Sequence, residues 1–409
     1  MIRHQVYFDT LGSMKEGTPS WRSVFAGLSV LRLVDSYNES SSAVNRAAWA
    51  QVHSVRTAID EITEGNLIRG LLTGVVDALR EAGAVNDTVC QLLISYGRAL
   101  DYEASWGLAT DVFSTVADFA KPERNARLAV EASVAMGGSA RRNGDWDASA
   151  RAYSKAAFIA DLMGDRPGVL TVQIGIANTY LAKGNLPQAQ SILNDAIVQA
   201  RDQDFSEVLA DALHAHAALS SRQGNPAQGL THAYEALSLM TKAASKDVVL
   251  GDIGALFMEL GLREPARDAH LVLAATAQSQ LVRWSASLNL MELASLDNMQ
   301  ELFDRYAREL AKAPLGPWLR SHYLLFLGEG LDRFEREDAA IEALEEAVRY
   351  AESNQIHQIA FRADSVLSRV RSKTRAVAAY AAPPAWVPDD VNTVVRAMSD
   401  LRRAAEPVL

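Results

Sequence analysis

Residue types that commonly carry catalysis or metal binding are sparse in this 409-residue chain. His214 and His216 are the closest histidine pair, but two positions apart on a helix their side chains point about 200° apart, so they share a metal ion poorly. Cys90 is the only cysteine, which excludes an internal disulfide and a cysteine metal cluster. No phosphate loop ending in Gly-Lys-Ser/Thr, G-x-S-x-G elbow, H-E-x-x-H or acidic calcium loop occurs in the sequence. It therefore predicts a protein that is not an enzyme and that uses no cofactor or metal.

A turn-like residue recurs along the chain with gaps of 39, 40, 40, 40, 37, 36 and 38 residues. The positions are Gly65, Ala104, Gly144, Gly184, Gly224, Gly261, Asp297 and Glu335. Such a long and regular period is typical of a helical solenoid, in which each repeat packs only against its neighbours. A stack of this kind leaves a long surface free, and this favours a binding function.

Small residues flank the turns in two columns. Seven positions before the turn the chain has Ala58, Gly97, Gly137, Ala177, Ala217, Gly254, Leu290 and Gly328. Five positions after the turn it has Gly70, Ala109, Ser149, Ala189, Gly229, Ala266, Leu302 and Ala340. Antiparallel helices approach closely only where the residues at their crossing point lack bulk, so each repeat is predicted to be a helix pair that crosses at these columns. The repeat around Asp297 has leucine in both columns, and we expect its packing to differ.

The turns also carry helix stop and start signals. Three of the glycines precede Asp145, Asn185 or Asn225, whose side chains can cap the next helix. Apolar residues keep a helical spacing on both sides of the turns, and no sustained alternation of apolar and polar residues occurs. The predicted fold class is all-α.

At these residues the chain resembles the tetratricopeptide-repeat (TPR) family. The stretch Ile176 to Tyr180, followed by Gly184 to Ala189, is similar to the family's pattern of apolar, small, tyrosine, glycine and alanine residues. Gly144-Asp145-Trp146 resembles its glycine, acidic, aromatic turn. The resemblance covers roughly residues 45 to 355, although these repeats are longer than the family's 34 residues. It implies a right-handed α-solenoid of about eight TPR-like helix-turn-helix repeats with helical caps at both ends.

The resemblance also implies that the first helix of each repeat lines a concave surface. Residues thirteen, ten, six, three and two before each turn then lie on one helix face. The partner-binding residues predicted there are Arg98, Tyr102, Glu131, Arg141, Arg142, Asn178, Asp211, His214, Arg222, Trp284, His322 and Arg333. Arginine, tyrosine and tryptophan are the side chains that dominate interface energetics.

The function that follows from the resemblance is a non-enzymatic adaptor or scaffold, which captures a peptide, helix or protein on its concave face. Arg141 and Arg142 could grip a carboxylate there. Some TPR proteins clamp a C-terminal dicarboxylate with a lysine and an asparagine, but Ile174 stands at the lysine position beside Asn178, so this clamp is not predicted. Two alternatives stay open: a regulatory sensor that responds to a peptide or ligand, and a structural subunit of a homo- or hetero-oligomer that assembles through its terminal helices.

The ends of the chain differ from the array at 45–355. Residues 1–44 are predicted to form an extended segment, with Val6-Tyr7-Phe8 as an apolar patch, and a capping helix from about 19 to 37. An additional helix follows at 356–380, then a proline-rich linker at 381–388 and a C-terminal helix at 389–409. We expect this last helix to fold back over the last repeat; the alternative is that it docks on a partner or on a second copy of the chain.

Charge and composition narrow the range of partners. The net charge of −10 and the pI near 5.4 argue against binding to nucleic acid, whose phosphates require a basic face. No uncharged apolar run is long enough to span a bilayer, and so no membrane partner is predicted. The lone cysteine and the absence of a leader segment indicate a cytoplasmic protein.

Acidic residues crowd the repeat around Glu335, and five basic residues follow at Arg362, Arg369, Arg371, Lys373 and Arg375. Two readings are open. The charges either form weak ion pairs between adjacent helices or make two patches that order head-to-tail association.

Overall fold

The computed structural model describes residues 3–38, 45–120, 122–354, 356–372 and 386–406. These residues form 20 α-helices, and no strand occurs among them. The chain divides into two compact units, Met1–Lys183 and Gly184–Leu409, and the boundary coincides with the predicted turn at Gly184. Within each unit, successive helices from α1 to α9 and from α10 to α19 pack against one another in chain order. The all-α helical-repeat fold is thus confirmed. No described helix is long and apolar enough to traverse a lipid bilayer.

The helices of the first unit are α1 (Gln5–Ser13), α2 (Pro19–Asn38), α3 (Asn45–Asp60), α4 (Leu67–Ala82), α5 (Asp87–Tyr102), α6 (Trp106–Phe119), α7 (Pro122–Arg142), α8 (Trp146–Leu162) and α9 (Arg166–Ala182). Those of the second unit are α10 (Leu186–Asp202), α11 (Ser206–Arg222), α12 (Pro226–Leu239), α13 (Ala243–Glu259), α14 (Arg263–Thr276), α15 (Gln280–Leu296), α16 (Gln300–Lys312), α17 (Pro317–Arg333), α18 (Glu337–Ser353), α19 (His357–Arg371) and α20 (Asp389–Ala405). We call the odd-numbered helices from α3 to α19 the first helices and the even-numbered helices from α4 to α18 the second helices.

The turns inside the repeats adopt the left-handed conformation. Seven of the predicted turn positions have φ between +57° and +82°: Gly65, Ala104, Gly144, Gly184, Gly224, Gly261 and Glu335. The eighth prediction, Asp297, is wrong by one residue, because Asn298 has φ +57° whereas Asp297 has φ −94° and ends α15. Asparagine tolerates the left-handed region better than most residues, which accounts for the shift.

Ala104 is strained at its turn, since its φ of +57° brings Cβ close to the following carbonyl oxygen. Ala104→Gly should therefore raise the free energy of unfolding by about 1 kcal/mol. Gly144→Ala, at the same repeat position with φ +77°, should lower it by a similar amount. Urea denaturation of the wild type and both variants measures these changes. If all three proteins have the same urea midpoint, Ala104 is not strained by its left-handed conformation.

The small columns are the crossing points of the helix pairs. A Cβ built on Gly97 would lie 2.6 Å from the Phe113 ring, and one on Gly137 would lie 2.9 Å from the Tyr153 ring. The two columns also meet directly, because Ser149 Oγ donates to the carbonyl oxygen of Gly137 at 2.9 Å. A bulky second-helix residue thus fills the space that the missing side chain leaves. The exceptional repeat buries Leu290 instead.

The N-terminal segment is helical, so the prediction of an extended stretch at Val6-Tyr7-Phe8 is wrong. Tertiary packing decides its conformation, since Tyr7 is fully buried and its hydroxyl lies 3.2 Å from the hydroxyl of Tyr96. His4 fixes the start of α1 through Asp111 at 2.6 Å and Asp35 at 3.0 Å. Helix α2 begins at Pro19, where the sequence predicts a helix.

The C-terminal helix does not cover the last repeat, and that prediction is wrong. Helix α20 packs against α14 and α12. Its buried residues are Val391, Val394, Met398 and Ala405. Thr231 Oγ1 donates to Asp390 at 3.2 Å, and Arg402 lies 3.3 Å from the buried Asp268. These partners direct the helix away from α18 and α19. The predicted helix end at 372–380 and linker residues 381–385 lie outside the described residues, apart from Ser372.

Candidate functional site

Polar side chains join first helix α11 to α13, and join α15, α17 and α19 to one another. His214 Nε2 of α11 lies 2.6 Å from Asp252 Oδ2 of α13, and Arg333 of α17 donates to Ser295 of α15 at 2.9 Å. The residues that make these contacts between α11, α13, α15, α17 and α19 are His214, Ser221, Asp252, Glu259, Glu292, Ser295, Glu329, Asp332, Arg333, Arg362 and Arg369. We call this set the polar face.

Arg362 is the most extensively bonded residue of the polar face. It donates from Nη2 to both carboxylate oxygens of Glu329 at 2.9 and 3.0 Å, and from Nε at 3.2 Å. The same Nη2 lies 3.8 Å from Glu292, and the guanidinium carbon lies 5.5 Å from the centre of the Phe326 ring. Both carboxylates are buried. Arg362 itself is half-buried, and its charge-assisted hydrogen bonds and ion pair connect α19 to α17 and α15.

Aromatic rings on α17 adjoin this charge cluster. His322 lies between Trp318 and Phe326, with ring centroids 4.5 and 6.0 Å away. Burial lowers the pKa of His322, and the nearby charge of Arg362 lowers it further. The hydrogen bond to the backbone of Trp318 raises this pKa, but its effect is smaller than that of burial. The ring Nδ1–H donates to the carbonyl oxygen of Trp318 at 3.0 Å, so the predicted binding residue His322 is a neutral packing group.

The sequence left two interpretations open for the charged segments near the end of the array. The structure shows ion pairs between the arginines of α19 and acidic residues of the preceding helices. Arg369 donates to Asp332 at 3.0 Å, and Arg371 bonds Glu345 of α18. Arg362, Arg369 and Arg371 therefore pair within the chain, and head-to-tail association through these charges stays a prediction. Lys373 and Arg375 lie outside the described residues.

The predicted residues of the first unit form a second set of contacts. Arg98 of α5 donates to Glu131 of α7 at 2.7 Å. Asp101 accepts from Ser139 at 2.6 Å and also from Arg142. Arg142 is thus neutralised within the chain, and a partner's carboxylate would have to compete with Asp101.

Arg141 turns toward the interior of its repeat. Burial lowers the pKa of Arg141, while hydrogen bonding and the charge of Tyr153 oppose that shift. Its Nε has no hydrogen-bond partner. Arg141 lies beside Tyr153, whereas Arg142 bonds Asp101. The two arginines therefore do not point toward one common carboxylate-binding site.

The remaining predicted residues are more accessible. Asp211 and Arg222 are exposed, whereas Tyr102, Asn178 and Trp284 are half-buried. In the described part of the chain the side chains of Asn178, Arg222 and Trp284 have no hydrogen bond or ion pair, while Tyr102 and Asp211 do have interactions. Asn178 belongs to the first unit; Arg222 and Trp284 belong to the second.

Sequence reasoning missed Glu292 because of the one-residue error at Asp297. Counted from the observed turn at Asn298, Glu292 stands six positions before the turn, on the predicted face, and Trp284 falls outside the chosen positions. Arg362 and Arg369 were missed as site residues because they follow the predicted array. An asparagine next to the assigned turn was the signal that could have corrected the count.

Buried histidines fill packing positions in the second unit. His216 and His232 make an edge contact at 4.4 Å, and His270 packs over Gly254, where a Cβ would lie 2.7 Å from its ring. Burial lowers the pKa of all three, that of His270 to about 4. Within the described residues no group of three or more His, Cys, Asp and Glu residues is placed to hold a metal ion.

Comparisons with known proteins are sparse. No family model matches the chain, and no curated protein matches it. Among solved structures, the chain is similar to one titled "Crystal Structure of Rap Protein Complexed with Competence and Sporulation Factor", with a TM-score of 0.34 and 13% sequence identity. The match covers 86% of this chain and 98% of that chain. Likeness at this level carries no argument about function, and membership of the TPR family stays a prediction.

Proposed function

We propose that this chain is a non-enzymatic binding protein that captures a segment or helix of another protein on the polar face of its second unit. The observation that carries the proposal is that the half-buried Arg362 of α19 contacts the buried Glu329 of α17 and Glu292 of α15, and so connects these three first helices. Helices joined in this way present a surface whose geometry is set before a partner arrives. Pre-organisation of this kind lowers the entropic cost of association.

Two accessible side chains supply the anchors of the proposed interaction. Arg222 is exposed at the C-terminal end of α11, and Trp284 is half-buried on α15. A guanidinium offers bidentate pairing to a carboxylate, and an indole supplies a large contact area. The expected ligand is therefore a segment with acidic and apolar residues.

A matched pair of charge reversals tests this function. Arg222→Glu changes a first helix and Arg308→Glu changes the second helix α16, and both arginines are exposed without a bonded side chain in the described residues. Arg222→Glu should weaken capture of cross-linked partners from host lysate by about tenfold or more, in titrated pull-downs quantified by mass spectrometry. Arg308→Glu should leave capture unchanged. If the wild type and both variants capture equal amounts of partner, the proposed binding at the polar face is wrong.

A second candidate function is that of an assembly subunit, and the end of the stack favours it. Helix α19 packs against α17 and α18, and Phe361 on α19 is 79% exposed. Each earlier first helix of this unit packs against the second helix that follows it, whereas in the described part of the chain α19 is followed only by α20, which packs on α12 and α14. An uncovered phenylalanine at this end suits contact with another copy of the chain.

Phe361→Asp tests the assembly function. The wild type should show concentration-dependent self-association in sedimentation velocity, and the variant should sediment as a monomer at the same concentrations. Val248→Asp, another exposed apolar residue on a first helix, is the control and should behave as the wild type. A wild type that stays monomeric throughout the series would reject this candidate.

A further inference from the structure

The chain attaches its own N-terminal end to the outer side of a second helix. His4 Nδ1 lies 2.6 Å from Asp111 Oδ2 of α6, and Arg3 lies 3.6 Å from Asp118. Asp111 and Asp118 are seven residues apart, which is about two helical turns on one side of α6. The outer side of α6 thus holds the N-terminal segment at two points.

The C-terminal helix uses the same repeat position in the second unit. Asp390 accepts from Thr231 of α12, and Arg402 pairs with Asp268 of α14. Asp111, Thr231 and Asp268 each stand seven residues after the left-handed turn residue of their repeat. Each unit therefore uses this position to hold a helical segment of its own chain.

Among the described residues, no terminal segment packs on the same outer side of helix α8. Its residue seven positions after the turn is Arg151, which is exposed and has no bonded side chain among the described residues. Seven residues further, where α6 has Asp118, α8 has Phe158, which is 69% exposed. Leu162 and Met163 follow at 67% and 50% exposed.

Three large apolar side chains within two turns of one helix differ from the scattered exposure seen elsewhere on the chain. Val198 and Val248, for comparison, are each the one large apolar residue exposed on their helices among the described residues. Single exposed apolar residues are normal, whereas contiguous patches mark binding surfaces. The patch beside Arg151 combines apolar area with an uncompensated positive charge.

We propose that the outer side of α8, formed by Arg151, Phe158 and Leu162, binds an amphipathic helix of a partner protein that carries a carboxylate about two turns from its apolar residues. The charge of Arg151 selects the carboxylate. The spacing follows from the roughly 10 Å that separates residues seven apart along a helix. This surface lies on a second helix of the first unit, whereas the polar face lies on first helices of the second unit.

The test uses two synthetic 18-residue amphipathic peptides with the same apolar stripe, labelled for fluorescence anisotropy. One peptide has Glu two turns from the stripe, and the other has Lys at that position. The full-length protein should bind the Glu peptide about tenfold more tightly than the Lys peptide, and Arg151→Glu should reverse this preference.

Two further variants distinguish specific binding at the α8 surface from non-specific hydrophobic binding. Phe158→Asp should abolish binding of the Glu peptide, and Val248→Asp should leave it unchanged. Both positions are exposed, so circular dichroism should show the wild-type helix content in each variant. Equal affinity for the two peptides, a preference that Arg151→Glu does not move, or the absence of binding to the wild type would each overturn the proposal. Arg222→Glu, which removes a proposed anchor in the second unit, should leave peptide binding intact.

Discussion

Gly175→Ala should lower the free energy of unfolding of the first unit by about 3 kcal/mol, because the new Cβ would overlap the ring of Tyr153. Tyr153 is buried on α8 and packs over Gly137 of α7 as well as Gly175 of α9. The ring cannot withdraw from one glycine without meeting the other helix. Chemical denaturation followed by circular dichroism measures the loss.

Gly70→Ala is the matched control for this substitution. Gly70 lies within α4, and a Cβ added there would have no neighbour within 4 Å. Alanine should therefore stabilise the helix by about 0.5–1 kcal/mol, since glycine is the poorer helix former. If both variants shift the midpoint in the same direction, the close packing around Tyr153 does not limit stability.

The stability of the first unit should fall as the pH rises from about 6.5 to about 9, and His4 is the cause. Burial alone would lower the pKa of His4, but hydrogen bonds and charge from Asp111 and Asp35 outweigh burial and raise it from 6.5 to about 9. Protonated His4 therefore stabilises the fold fully below pH 6.5, and this contribution is lost as the pH passes through 9. The shift corresponds to about 3 kcal/mol.

His4→Asn tests this pH dependence. Asparagine tolerates the left-handed backbone at this position, where φ is +60°, but it carries no charge. The variant should be less stable than the wild type at pH 6, and the difference should shrink above pH 9. Burial raises the pKa of Tyr7 well above its ordinary value, so Tyr7 stays neutral across this range. Parallel stability curves for the two proteins between pH 6 and 9.5 would show that His4 is not the titrating group.

Much of the fold could be predicted because glycine and alanine have direct steric roles in it. A left-handed turn at Gly144 and a close crossing at Gly137 both follow from the lack of a bulky side chain. The helical state of Tyr7 could not be predicted, because it depends on Tyr96, which is 89 residues away in the sequence. The position of α20 depends in the same way on Thr231 and Asp268.

The candidate site was predicted less completely, since helix periodicity indicates which side a residue faces and not which partner it meets. Arg98, Arg142 and Arg333 were assigned to the first-helix face, and the structure shows them bonded to neighbouring helices. Prediction of Glu292 required the correct turn residue, Asn298, and prediction of Arg362 required an array that extends to α19. Exposure of Phe158 could not be inferred either, because a phenylalanine on an amphipathic helix is usually buried.

Sequence separation divides the helix contacts into two classes with different consequences for folding kinetics. The bonds between neighbouring first helices span 37 or 38 residues at Arg369, His214 and Arg333. Those of the terminal segments span 107 residues for His4 with Asp111, and 134 and 159 residues for α20. Loop-closure entropy rises with separation, so repeats should form first while both ends attach last. A nascent chain would then expose the outer sides of α12 and α14 until α20 has been synthesised, whereas the N-terminal segment is already present when α6 forms.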